Sequence, residues 1–177
     1  TIEKAEYIAK GGATISPLVK AVNDVCRVSA RATPVAGSEI HLRIWLPSNW
    51  NGKMLGVGGA GLNGGFAAEW FIAILPLNEG YAVFSTDAGH EFIEDNAKWA
   101  LGQPEKIKDY GYRANHVGAL ATKAVLASHY GTPPRRSYFH GCSNGGRDAL
   151  IQAQRYPQDW DGIIAGAPAY NWTSVFT

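Results

Sequence analysis

Ser137-Tyr138-Phe139-His140-Gly141-Cys142-Ser143-Asn144-Gly145-Gly146-Arg147 is the stretch that decides how this chain is read. Ser137 to His140 reads as a strand and Arg147 to Tyr156 as a helix, so a Gly-x-Ser-x-Gly turn stands between a strand and a helix. There the turn forces residue 143 into a strained backbone conformation, and small residues two positions to either side let strand and helix approach without collision. Ser143 is therefore the candidate nucleophile, its hydroxyl projecting from the carboxyl end of a sheet. The start of the helix supplies a positive dipole end, with the backbone N–H of Asn144 directed at an oxyanion. The competing reading is a glycine-rich turn with a capping serine.

Working outward, Gly162 to Gly166 reads as the next strand. Upstream, Gly111 to Tyr130 carries a helical stripe of Val117, Leu120, Ala121, Ala124 and Val125 with a stop at Gly131. Tyr81 to Asp87 is a continuously apolar strand of the kind buried in parallel sheets, preceded by a helix end over Leu75 to Gly80. Lys53 to Gly58 is a short strand ending in glycine, and Val25 to Val35 and Glu39 to Leu46 alternate with period two about a turn at Ala36-Gly37-Ser38. Ile2 to Lys20 predicts peripheral helical turns. Alternating strands and helices place the chain in the α/β class, with a mostly parallel sheet and flanking helices.

An acyl-transfer site needs a second oxyanion donor, and Gly56-Val57-Gly58-Gly59-Ala60-Gly61-Leu62-Asn63-Gly64-Gly65 is the segment that can turn main-chain N–H groups toward a carbonyl. Ala60 and Gly61 are the candidates. A phosphate loop is the rival, but no Gly-Lys-Ser or Gly-Lys-Thr follows and no correctly spaced acidic residue supports a dinucleotide site. Sixteen Lys and Arg against fifteen Asp and Glu leave a formal charge of +1, too balanced for nucleic acid or an anionic membrane surface. No apolar run approaches the ~20 residues of a membrane span.

At these residues the sequence resembles the tannase and feruloyl esterase family, which also includes mono(2-hydroxyethyl) terephthalate hydrolase. The resemblance rests on Trp45-Leu46-Pro47 with Trp50-Asn51-Gly52, Ser85-Thr86-Asp87-Ala88-Gly89-His90, Trp99-Ala100-Leu101-Gly102, Gly111-Tyr112-Arg113-Ala114, and the run from Tyr138 through Gly141–Arg147 to Gln154-Arg155-Tyr156-Pro157 and Asp161–Pro168. It extends from about Cys26 to the end. It implies the N-terminal portion of a single α/β-hydrolase catalytic domain over residues 1–177, incomplete without further strands and a lid. It implies a secreted carboxylesterase with a Ser-Asp-His triad, acting on feruloyl, galloyl or related aromatic esters. It implies a disulfide between Cys142, beside the serine, and a cysteine beside the histidine, and a partner upstream of Thr1 for Cys26. No cofactor is implied for this chain; calcium belongs to the family's lid.

In α/β-hydrolases the acid and then the histidine follow the serine, whereas all five histidines here, His41, His90, His116, His129 and His140, precede it. Asp148, Asp159 and Asp161 are poorly placed to act as the acid. The expected partner of the chain is therefore the remainder of the same enzyme, as further sequence or as a second polypeptide. His90 is a candidate for lining the substrate site. Asp87 reads as a loop-fixing carboxylate. Asn171-Trp172-Thr173 is a glycosylation sequon or a loop-fixing amide. The alternative function is an inactive hydrolase-like module for binding or interaction.

Overall fold

A computed structural model describes residues 1–12, 20–91, 96–171 and 174. It contains one seven-stranded sheet in the order β1-β2-β3-β5-β4-β6-β7, formed by β1 (Ile2–Ile8), β2 (Val25–Ala32), β3 (Ile40–Pro47), β4 (Lys53–Val57), β5 (Ala82–Thr86), β6 (Arg136–Cys142) and β7 (Gly162–Gly166). β1, β2, β3 and β5 pair antiparallel in succession, while β5, β4, β6 and β7 pair parallel. Five of the seven strands thus point one way, and the half that carries the elbow is wholly parallel. The short helices α1 (Glu69–Ile72), α2 (Ile74–Asn78) and α3 (Pro104–Lys108) precede the long α4 (Ala114–Tyr130) and α5 (Asn144–Arg155).

Consecutive residues of the central strands point to opposite faces, and both faces are covered. Trp45, Leu55 and Val83 pack with Ile74 and Leu77 of α2 on one side. Ile44, Met54, Phe84 and Phe139 pack with Ala119 and Leu126 of α4 and Ala149 of α5 on the other. This is why the central strands read as continuous apolar runs. α4 closes at Gly131, whose φ of 75° is the left-handed stop expected of that glycine.

The first segment corrects its sequence reading. Ile2–Ile8 is a strand, not helical turns, and pairs antiparallel with β2. Glu, Lys and Ala favour helix locally, but the ladder to β2, with Glu6 on Arg27 and Glu3 on Arg31 across it, overrides that preference. Residues 13–19 lie outside the described residues. So do Trp172 and Thr173 of the sequon and residues 92–95. α5 begins at Asn144, three residues before the expected start, because the glycines of the motif are themselves its first turn.

Candidate active site

β6 ends at Cys142 and α5 starts at Asn144, so the whole turn is one residue, Ser143, with φ 59° and ψ −122°. A side chain at positive φ is strained, at a cost on the order of 1–3 kcal/mol. Main-chain bonds enforce it: Ser143 N–H donates to Gly166 O at 3.1 Å, and its carbonyl accepts from Arg147 N at 3.1 Å and Ala169 N at 3.0 Å. The side chain makes no capping hydrogen bond to the helix, and the residue is exposed. A capping serine would turn its hydroxyl inward. This one is presented outward.

The glycines are needed for contact. A Cβ on Gly141 would lie 2.0 Å from the Gly145 oxygen, and one on Gly145 would lie 2.6 Å from the Gly59 oxygen. The elbow and the loop after β4 therefore touch main chain to main chain.

That loop leaves particular amides unclaimed. Gly58 N–H donates to His140 O at 3.0 Å, Gly59 N–H to Asp148 Oδ2 at 3.0 Å, Asn63 N–H to Ala60 O at 2.9 Å and Gly64 N–H to Asp87 O at 3.2 Å. Ala60 and Gly61 are exposed, and their N–H groups make no hydrogen bond among the described residues. The Asn144 amide, first in α5, has no acceptor within its helix. Its side chain is engaged elsewhere: Nδ2 donates to Asn63 Oδ1 at 2.6 Å, and Oδ1 accepts from Tyr110 at 3.1 Å and from Arg147 Nε at 2.6 Å. Sequence reasoning did not find Asn63, Tyr110 or the structural part of Asp148. The only signal was an Arg-Asp pair in the first turn of a helix whose glycine face had to be buried.

His90 is buried, donates from Nε2 to Leu62 O at 3.0 Å, and stacks on Trp99 with centroids 3.8 Å apart. Burial lowers its pKa, disfavouring the protonated ring. With His41, Asp87, Trp99 and Lys106 it lines a cavity of ≈ 230 Å³. Asp87 fixes its loop, accepting from His41 N and Gly89 N on Oδ1 and from His41 Nδ1 on Oδ2 at 2.7 Å. His41 lies on β3, three positions from β6 and so about 14 Å away across the sheet. His116 is engaged with Asp159. Cys142 is exposed and Cys26 half-buried, both as free thiols. β2 and β6 stand four positions apart, about 19 Å at ~4.8 Å per strand, beyond the reach of a bridge. Among the described residues no group of three or more His, Cys, Asp and Glu stands ready to hold a metal ion.

A parallel half-sheet, a single-residue elbow at positive φ and a glycine loop with free amides beside it define the α/β-hydrolase class. The profile of the family described as tannase and feruloyl esterase matches residues 25–176, and the chain belongs to that family. It is 36% identical over 164 residues to a probable feruloyl esterase B-1 of Neosartorya fischeri, covering 93% of this chain and 30% of that protein. It is 39% identical over 175 residues to an uncharacterized esterase of Xanthomonas campestris, covering 97% and 30%. The crystal structure of feruloyl esterase B from Aspergillus oryzae superposes with a TM-score of 0.87 at 30% identity, covering 97% of this chain and 34% of that one. Tannin acyl hydrolase from Aspergillus niger gives 0.77 at 28% identity, covering 98% and 34%. The chain spans about a third of the length of these relatives.

Proposed function

We propose that this chain carries the nucleophile and the oxyanion site of a secreted serine carboxylesterase acting on aromatic esters, with feruloyl, galloyl and related acyl groups as the substrate class. The observation that carries the reading is Ser143 at φ 59°, exposed beside the unclaimed amides of Ala60 and Gly61 and the first amide of α5. Ser143 Oγ attacks the ester carbonyl carbon as its proton passes to a general base. The carbonyl π pair moves onto oxygen, where the N–H groups of Asn144 and of Ala60 or Gly61 stabilise it. Collapse breaks the bond to the alcohol, which leaves with the proton, and water then releases the acid from the acyl-enzyme.

The base and its acid partner are assigned to the remainder of the same enzyme. Two further observations support that partner: the share of the relatives this chain spans, and the apolar cavity of ≈ 660 Å³ along β7, lined by Tyr81, Tyr138, Ile163 and Ile164 among others. A further element packed on that face of β6 and β7, beside α2, would cover it. Secretion belongs to the same proposal, since a disulfide formed by the exposed Cys142 would persist only in an oxidising compartment. Nothing in the proposed chemistry of this chain calls for a cofactor, and His90 lines a cavity near the substrate end of the sheet.

The test is hydrolysis of methyl ferulate and methyl gallate by the whole protein and its Ser143→Ala variant, with intact-mass detection of the acyl adduct. Turnover and adduct should both vanish in the variant. Turnover that survives Ser143→Ala would overturn the reading.

A further inference from the structure

Asp148 is a buried carboxylate beside the elbow that the acyl-transfer reading leaves unused. It is 3% exposed and lies on α5, five residues after Ser143. Oδ2 accepts the Gly59 N–H at 3.0 Å and Oδ1 accepts Arg147 Nη2 at 2.6 Å. Arg147 is held in turn by the carbonyls of Tyr110 at 3.1 Å and Gly111 at 3.3 Å.

The amide bound to Asp148 sits in the middle of the glycine loop. Gly58 N–H is tied to the β6 carbonyl of His140 and Gly59 N–H to Asp148, so two consecutive peptides are fixed and the next two amides, Ala60 and Gly61, are left free. Glycines at 58, 59 and 61 give this backbone many alternative conformations, some of which would turn the free amides away. A bond to one amide removes that freedom. Because Asp148 and Asn144 belong to one helix, a single rigid element then sets both halves of the oxyanion site.

We propose that Asp148 is the positioning residue of this site: it withdraws the Gly59 amide and so fixes Ala60 and Gly61 as the loop's donors. The inference rests on Ser143 being the nucleophile. Burial pushes the Asp148 carboxyl up, while Arg147 and the Gly59 amide draw it back toward the ionised form that accepts these bonds.

The experiment uses the whole protein with Asp148→Ala, Asp148→Asn and Ser143→Ala, assayed on methyl ferulate. An aryl boronic acid, which forms a tetrahedral adduct with the serine, and ferulate, the product, serve as binding probes. Asp148→Ala should lower kcat about 10- to 100-fold with little change in KM, approaching the loss of one oxyanion donor. It should weaken boronate binding by a similar factor and leave ferulate binding unchanged. Asp148→Asn keeps an oxygen that can accept from Gly59, so its kcat should fall less, with boronate affinity falling in step. If the alanine variant does not fold, the asparagine variant decides alone. Parent-like kcat and boronate affinity in a folded variant overturn the inference, as does equal weakening of boronate and ferulate, which marks a general structural defect. Both outcomes leave the nucleophile standing when Ser143→Ala is inactive. Activity in Ser143→Ala removes the nucleophile reading and this inference with it.

Discussion

Nε2 of His90 donates to the main-chain oxygen of Leu62 at 3.0 Å, joining the loop after β5 to the loop after β4. The bond requires the proton on Nε2, and the ring is packed flat against Trp99 where water cannot stabilise a second one. A residue singled out from sequence as a candidate wall of the substrate site also ties down the glycine loop after β4.

That tie has a pH signature. The folded-state pKa of His90 is lowered from 6.5 by burial, so below about that value the unfolded chain takes up a proton the folded chain resists. The stability it contributes is fully present above pH 6.5 and is lost as the pH falls toward the folded value. Thermal unfolding at pH 7.5 and 5.5 should show a larger acid loss for the parent than for His90→Gln. Identical losses would show that residue 90 does not titrate in this way.

Strain at the elbow predicts opposite effects on stability and activity. Glycine adopts φ 59° at no steric cost, so Ser143→Gly should raise unfolding stability by about 1 kcal/mol while abolishing ester hydrolysis. Denaturant titration checks the first part and a methyl ferulate assay the second. A destabilised glycine variant would mean that the serine conformation is unstrained.

Gly145→Ala should cost about 1–3 kcal/mol, since its Cβ would meet the Gly59 oxygen at 2.6 Å and backbone cannot rotate aside. Gly111→Ala, where a Cβ meets nothing within 4 Å, is the control and should stay within about 0.5 kcal/mol of the parent. Equal midpoints for the two variants would contradict the close approach.

The thiols should separate by reactivity. In the isolated chain, exposed Cys142 should alkylate quickly, whereas Cys26 should lag, because it is half-buried and burial raises its pKa. In the whole protein, non-reducing peptide mapping should find Cys142 joined to a cysteine outside residues 1–177. A peptide linking Cys26 to Cys142 would contradict the strand order.

Much of the backbone of the candidate site was legible because close main-chain contact constrains local sequence: only glycine fits at 141 and 145, where a Cβ would strike main chain. The polar ties were not legible. Gly59 meets Asp148, and Asn63 meets Asn144, across some 80 to 90 positions of sequence, and nothing in hydrophobic periodicity records which polar side chain finds which amide. β1 was misread for a related reason. Its residues are mostly exposed, so it shows no buried face to announce period two, and its identity as a strand comes from the partner it pairs with.

The parallel register of β4 on β6 sets Gly56 beside Phe139 and Val57 beside His140, while β2 and β3 meet through a short turn. Closing the larger loop carries the greater entropic penalty, so the antiparallel meander is the part expected to form early and the β4–β6 seam late. Ser143 is held by Gly166 and Ala169, at and beyond the end of β7, so it can be driven into its conformation only once β7 has in turn joined β6. The strained turn at Ser143 is therefore made by folding in its last stages, and a chain halted with only the meander in place carries an ordinary, relaxed serine.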